Sequence, residues 1–148
     1  MSFNLFKMQI IRIKPIDTDY LLTTRDIRYK VFVEEQNVPA DMEYDEFEES
    51  SHHYLLLENG VGAATCRWRE TSKGIKLERF AVLPEHRGKG YGEALVKQLL
   101  DDVLPMGKSV YLHSQERVLG FYEKLGFKAE GERFEEAGIQ HFKMYFKD

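Results

Sequence analysis

Cysteine occurs once in this chain, tryptophan once and proline four times. With no second thiol, Cys66 cannot form an internal disulfide or join a multi-cysteine metal site. It reads as a small buried hydrophobe on a strand. No apolar run reaches the roughly 20 residues that a membrane-spanning helix needs. The N-terminus has no basic stretch leading into a long apolar run and a small-residue cleavage site. Cytoplasmic residence and no membrane partner are therefore expected. The five histidines show no H-E-x-x-H or comparable ligand spacing, so no metal is expected. The formal net charge is −4, which lacks the basic footprint of general nucleic-acid binding. A phosphorylated ligand stays compatible, because a local site can be positive on an acidic protein. No repeat, linker or low-complexity tract interrupts the chain, and its length fits one domain over 1–148.

What is present alternates between two periods. Met8–Lys14 reads as a strand ended by Pro15, and Asp17 or Thr18 can cap a helix running to about Val33. Strand-like stretches follow at His53–Glu58, Val61–Glu70 and Gly74–Leu83, with Asn59-Gly60 as a tight-turn signal between the first two. Tyr91 to about Leu104 carries Leu95, Val96, Leu99, Leu100 and Val103 on one broad apolar face, which predicts a helix ended by Pro105 and Gly107. Ser109–His113 is a short strand, and Gln115–Leu125 a helix with Gly126 at its C-cap. Phe127–Glu135 and Ile139–Phe146 form a closing hairpin around Gly138. The element order predicts an α+β (mixed α/β) domain with one strand–helix–strand crossover over 75–113.

Residues 34–49 hold eight acids and no Lys or Arg. Two readings stand open: a solvated loop with a helical turn, or an acidic rim that concentrates a cationic substrate such as a polyamine or lysine-like amine.

The informative segment is Leu77 to Gly92, where a strand ends and a glycine-rich turn opens a helix. The first N–H groups of a helix have no intrahelical partners and carry the positive end of the macrodipole. Together they form an anion site. Gly88, Gly90 and Gly92 clear side chains from the backbone, and Arg87 and Lys89 add charged donors. The spacing is not the dinucleotide G-x-G-x-x-G, and no GK[ST] ending follows, which leaves a nucleotide-binding module the weakest reading. A flexible turn with a basic tip is the plain alternative.

Arg87-Gly88-Lys89-Gly90-Tyr91-Gly92 resembles the [Q/R]-x-x-G-x-[G/A] signature of the GNAT superfamily of N-acetyltransferases. Gly120-Phe121-Tyr122-Glu123-Lys124-Leu125-Gly126-Phe127 resembles its second conserved segment, ending in Y-x-x-x-G-F. Three further stretches, 31–36, 112–115 and 136–144, resemble a small bacterial branch of predicted acetyltransferases. The resemblance implies a GNAT-like acyl-CoA N-acyltransferase fold. Its sheet is mixed and mostly antiparallel, with helices on both faces, and two central parallel strands, about 76–83 and 109–114, splay apart to admit pantetheine. It further implies that Phe80, Ala81 and Val82 pair with pantetheine, that Arg87, Gly88, Lys89, Gly90, Tyr91 and Gly92 hold the pyrophosphate of acetyl-CoA, and that Gln115 touches the cofactor where many members have Asn. A homodimer is a superfamily-level expectation.

The implied reaction is direct attack by a primary amine of a small molecule or protein on the acetyl thioester. Tyr122 is the candidate proton donor to the departing thiolate; by spacing alone it is equally a core residue on its helix. A backbone N–H near Val82 is the expected oxyanion donor. Glu78 is a candidate base if burial raises its pKa, or else a structural ion pair. His113, Glu136 and His141 are candidates for the acceptor site. A non-catalytic acyl-CoA sensor or interaction domain is the alternative.

Overall fold

The computed structural model describes residues 7–147. Seven strands form one sheet in the order β1-β2-β3-β4-β5-β7-β6. They are β1 (Met8–Arg12), β2 (His52–Glu58), β3 (Val61–Thr71), β4 (Gly74–Val82), β5 (Val110–Gln115), β6 (Phe127–Glu136) and β7 (Ile139–Phe146). Every neighbouring pair is antiparallel except β4 and β5, which run parallel. This is the mixed, mostly antiparallel sheet expected, with a detail that chain order does not reveal. The final strand inserts between β5 and β6, so the closing hairpin pairs with β5 through its second arm.

Helix α1 (Thr18–Arg28) continues through a π-helical turn, Tyr29–Glu35, and a short helix α2 (Ala40–Glu43) follows Pro39. Ile27 and Val31 bury against Leu55, Leu57 and Ala81 on one face of the sheet. Helix α3 (Tyr91–Val103) covers the other face. Its fully buried Leu95, Val96, Leu99 and Val103 pack on Leu56, Ala64, Cys66 and Leu77. Burying a Leu side chain contributes about 1.5–3 kcal/mol, so this stripe is the main anchor of α3. The helix stops where Pro105 and left-handed Gly107 stop it.

Residues 116–118 form a 3₁₀ turn before helix α4 (Leu119–Lys124). The expected helix start at Gln115 is therefore corrected, because Gln115 still pairs with His141 as the last residue of β5. Gly126 ends α4 at φ +103°, and a Cβ there would lie 2.8 Å from the Phe146 ring. Among the described residues, no helix is long and apolar enough to cross a membrane.

Two irregularities open the sheet. Between the pairs Thr65–Ala81 and Arg67–Glu78, β3 has one residue, Cys66, and β4 has two, Arg79 and Phe80. Arg79 takes φ +60° to accommodate this bulge, which bends the strand. Parallel pairing of β4 with β5 covers only Ile75–Val110, Lys76–Tyr111 and Leu77–Leu112. Beyond Leu77 and Leu112 the two strands run on without pairing, and a wedge-shaped opening results.

Candidate active site

The wedge leads into a cleft of about 750 Å³, bounded by β4, β5, the π-helical turn, the start of α3, α4 and the β6–β7 hairpin. Its lining includes Glu78, Phe80, Ala81, Val82, Arg87, Gly88, Gly90, Tyr91, Gly92, His113, Gln115, Tyr122, Glu136 and His141. Residues distant in sequence thus converge on one surface. Lys89 does not reach the cleft.

At one end, the turn before α3 places Gly88 and Gly90 at φ +79° each. L-residues reach that conformation only with strain. A Cβ at either position would meet no protein atom within 4 Å. The space is open rather than filled by protein, which suits a phosphate against bare backbone. Among the described residues, the amides of Gly88, Lys89 and Gly90 donate to no protein acceptor. The Gly-rich helix opening thus fits the pyrophosphate of an acyl-CoA.

The basic side chains of the turn have protein partners. Arg87 donates to both oxygens of Glu35 at 2.8 and 2.7 Å, and its Nε donates to the Val82 carbonyl at 3.0 Å. Lys89 Nζ bonds Glu58 Oε1 at 2.7 Å, and the Tyr91 hydroxyl donates to the same oxygen at 2.6 Å. Burial and that bond push the Tyr91 phenol up to about 12. Lys89, expected to add a charged donor at the anion site, points its side chain to Glu58 and braces the turn against the end of β2. Glu58 and Glu35 are the residues that sequence reasoning missed here. Neither carries a local signal, because each partner lies far along the chain.

Tyr122, on α4, is 8% exposed and sits within an aromatic shell. Phe80, Phe121 and Phe127 meet its ring edge to face, with centroids 6.0, 5.0 and 6.0 Å away. Burial, with the Cys66 thiol nearby, pushes its phenol well up, so the hydroxyl keeps its proton. Cys66 itself is buried, and burial likewise holds it as the thiol. Gln115, at the end of β5, donates to Gln36 at 2.8 Å across the cleft and accepts from Arg117 at 3.2 Å.

Glu78 behaves differently from its expectation. Arg67 and Arg69 donate to Oε2 at 2.8 and 2.9 Å, and Lys76 Nζ lies 3.3 Å from Oε1. Burial alone would push the carboxyl up, but Arg67, Lys76, Arg79 and Arg69 outweigh it and hold it below the usual range. The upward shift expected of a general base is corrected to a downward one.

The acidic stretch carries the expected helical turn, Ala40–Glu43, but part of its charge turns inward. Glu43 and Glu48 turn inward onto fully buried Arg28, and Asp45 and Glu48 pair with Arg67, whose side chain is 0% exposed. Arg79 reaches Asp45 at 3.1 Å. Those three carboxylates are thereby neutralised by arginines, while Glu34, Glu35, Asp41, Glu46 and Glu49 stay exposed.

His113, Glu136 and His141 come together at the far end of the cleft. His113 Nδ1 lies 3.2 Å from Glu136 Oε1, and His141 Nε2 lies 3.9 Å from Glu136 Oε2. Phe134 sits between the two imidazoles, 5.0 Å from one centroid and 5.8 Å from the other. Among the described residues, no group of three or more His, Cys, Asp or Glu is placed to hold a metal ion.

A parallel strand pair that opens beside a glycine-rich helix start is the arrangement that the resemblance to acyl-CoA N-acyltransferases implies. The comparisons with known proteins agree. Residues 20–147 match the family described as the Acetyltransferase (GNAT) domain, and the chain belongs to that family. It is 38% identical over 120 residues to the uncharacterized N-acetyltransferase YjcF of Bacillus subtilis, covering 80% of this chain and 86% of that protein. Its fold is similar to an acyl-CoA N-acyltransferase from Pseudomonas aeruginosa, at TM-score 0.83 and 24% identity over 96% of this chain and 99% of that one. It is also similar to the paiA N-acetyltransferase from Thermoplasma acidophilum, solved in complex with coenzyme A, at TM-score 0.69 and 16% identity over 96% and 99% of the two chains.

Proposed function

We propose that this protein is an N-acetyltransferase that moves the acetyl group of acetyl-CoA onto a primary amine of a small molecule or protein. One observation carries the reading. The gap between β4 and β5 beyond Leu77–Leu112 joins the bare amides at Gly88–Gly90 to the Tyr122 hydroxyl within one cleft. The family uses acyl-CoA, and a fold neighbour is solved with coenzyme A. Both support coenzyme A as the occupant.

In this reading the backbone of Gly88 to Gly92 holds the pyrophosphate, and the unpaired edge of Phe80–Val82 pairs with the pantetheine amides, much as an added strand would. Gln115 closes the other wall. Acetyl-CoA supplies the activated acyl carbon and a thiolate leaving group. An amide N–H near Val82 stabilises the oxyanion. Tyr122 donates its proton to the thiolate sulfur. A buried phenol is a weak acid, but a thiolate formed in the same desolvated pocket is a correspondingly strong base, so the transfer stays near balance. Glu78 serves as a structural ion pair that fixes β3 against β4.

The test is thiol release from acetyl-CoA against a panel of polyamines, aminoglycosides, amino acids and peptides. The reading requires thiol release that depends on an added amine, and a rise in Tm with acetyl-CoA. Coenzyme A binding with no amine-dependent release would favour an acyl-CoA sensor, and no binding would remove both readings.

A further inference from the structure

The proposed transfer leaves one task without a residue. An amine at neutral pH arrives as its ammonium and must lose a proton before it can attack. Glu78, the candidate on β4, is committed to Arg67 and Arg69. A different group faces the cleft from β5.

His113 is the first β5 residue beyond the last parallel pair, Leu77–Leu112. It lines the cleft, as does Tyr122. Its Nδ1 lies 3.2 Å from Glu136 Oε1. Glu136 is held at about 2, first by the His113 hydrogen bond, then by the charges of Lys76, His113 and His141 against an opposing burial effect. An ionised carboxylate only accepts hydrogen bonds. Nδ1 must therefore carry a hydrogen, and in the neutral imidazole Nε2 then keeps its lone pair. Among the described residues no side chain partners that Nε2.

His141 is set differently. Its Nδ1 donates to the Ile139 carbonyl at 2.7 Å, its Nε2 lies 3.9 Å from Glu136 Oε2, beyond hydrogen-bond reach, and its side chain is only 8% exposed against 20% for His113. Around His113 stand Lys76 on β4, Tyr111 on its own strand, Glu136 on β6, and Lys143 opposite it on β7. Phe134 packs edge to face on its ring. The imidazole is thus clamped in place on the wall of the cleft.

We propose that His113 Nε2 is the general base that takes the proton from the acceptor amine, with Glu136 as the positioning residue that fixes its tautomer. The inference rests on the transfer to an amine proposed above. The ammonium gives up one proton to Nε2, the freed lone pair forms the new N–C bond as the carbonyl opens to its oxyanion, and collapse of that oxyanion breaks the C–S bond. The second nitrogen proton leaves as the amide forms. Of these two protons one balances the thiol of free coenzyme A, through Tyr122, and the other passes to solvent from His113. No oxidant, reductant or further reactant is needed.

Two measurements test it. In the first, the His113→Gln variant is compared with wild type using the best amine of the panel, across pH. We expect unchanged coenzyme A binding, a fall in kcat of about 100-fold or more, loss of the limb along which wild-type kcat/KM rises with pH, and partial rescue by added imidazole. A His113→Gln enzyme that keeps the wild-type rate and pH profile overturns the proposal. The second measurement needs no turnover: nitrogen NMR of the imidazoles reads which ring nitrogen of neutral His113 carries hydrogen. We expect the Nδ1–H tautomer in wild type and a shift toward Nε2–H in Glu136→Gln. An Nε2–H tautomer in wild type overturns the proposal. If wild type transfers to no amine at all, the transfer reading fails by itself, and the tautomer still decides whether His113 is poised as a base.

Discussion

Arg87 and Glu35 face each other as a bidentate ion pair, with the two terminal guanidinium nitrogens each on one carboxylate oxygen, at 2.8 and 2.7 Å. Glu35 belongs to the π-helical turn and Arg87 to the glycine-rich turn, so the contact ties together two walls of the cleft. Both side chains are substantially exposed, which makes the pair itself a weak contributor to stability. Its consequence is competition. An anion entering at Gly88–Gly90 meets a guanidinium already half neutralised. Glu35→Gln should therefore tighten coenzyme A by several-fold with little change in Tm, and isothermal titration at fixed ionic strength would read it. Unchanged or weaker affinity would place Arg87 outside the phosphate site.

A second prediction concerns the buried ion network. The Arg67 side chain is 0% exposed and holds Asp45, Glu48 and Glu78 together. Removing it leaves Asp45 with Arg79, Glu48 with Arg28 and Glu78 with Arg69 and Lys76, so three carboxylates share fewer cations in a poorly hydrated interior. Breaking a buried pair from one side costs about 3–5 kcal/mol. Arg67→Ala should lower Tm by on the order of 10 °C, whereas a deletion at a surface pair such as Lys108–Glu70 should change it little. The pH dependence has a definite sign. Asp45, Glu48 and Glu78 are all held below their ordinary values. Their stabilisation is complete above the unfolded carboxylate range of about 4 and is lost as pH falls through the lower folded values. Buried His53, lowered by desolvation, works in the same direction, because protonation favours the unfolded chain from about 6.5 downward. Denaturation midpoints from pH 7 to pH 3 should decline steadily in wild type and start lower in Arg67→Ala.

How much of this was legible from sequence follows the range of the interactions. Helix α3 and the glycine turn were readable because their signals lie within a few residues: Leu95, Leu99 and Val103 in one stripe, Gly90 before it and Pro105 after it. The Asn59-Gly60 turn was readable for the same reason, with Asn59 and Gly60 both at positive φ. The fate of the acidic stretch was not. Glu43 and Glu48 bury because Arg28 and Arg67 are there to meet them, and nothing near Glu43 announces Arg28. The Arg79 bulge was equally silent, since arginine is not a residue type that signals a left-handed backbone. The insertion of β7 between β5 and β6 depends on pairing across the whole sheet. The gathering of His113, Glu136 and His141 in one corner follows from that insertion.

Gly60 and Gly90 offer a matched pair for the cofactor turn. They sit at φ +82° and +79°, and a Cβ at either would meet no protein atom within 4 Å. Alanine at each position should therefore cost about the same, roughly 1–2 kcal/mol of left-handed strain, and lower Tm equally. Only Gly90 lies in the cleft. Gly90→Ala should weaken coenzyme A binding well beyond its effect on Tm, and Gly90→Val more so, while Gly60→Ala should leave affinity at the wild-type value. Equal affinities for the two alanine variants would show that the turn before α3 is not where the pyrophosphate sits.

Tyr122 permits the cleanest separation of packing from chemistry. Its ring is held by Phe80, Phe121 and Phe127, and those edge-to-face contacts use no part of the hydroxyl. Among the described residues no protein group hydrogen-bonds that hydroxyl, so Tyr122→Phe leaves no orphaned protein donor or acceptor. Tm and coenzyme A affinity should both stay close to wild type. What disappears is the proton for the departing thiolate, which is worth about 10²–10⁴-fold in rate for a well-placed general acid. The fall should appear in kcat, with KM for acetyl-CoA little changed. It should shrink when the acetyl donor carries a more acidic leaving thiol, because such a thiolate departs without help. A uniform loss across thiols of different acidity would mean that Tyr122 shapes the cleft and supplies no proton.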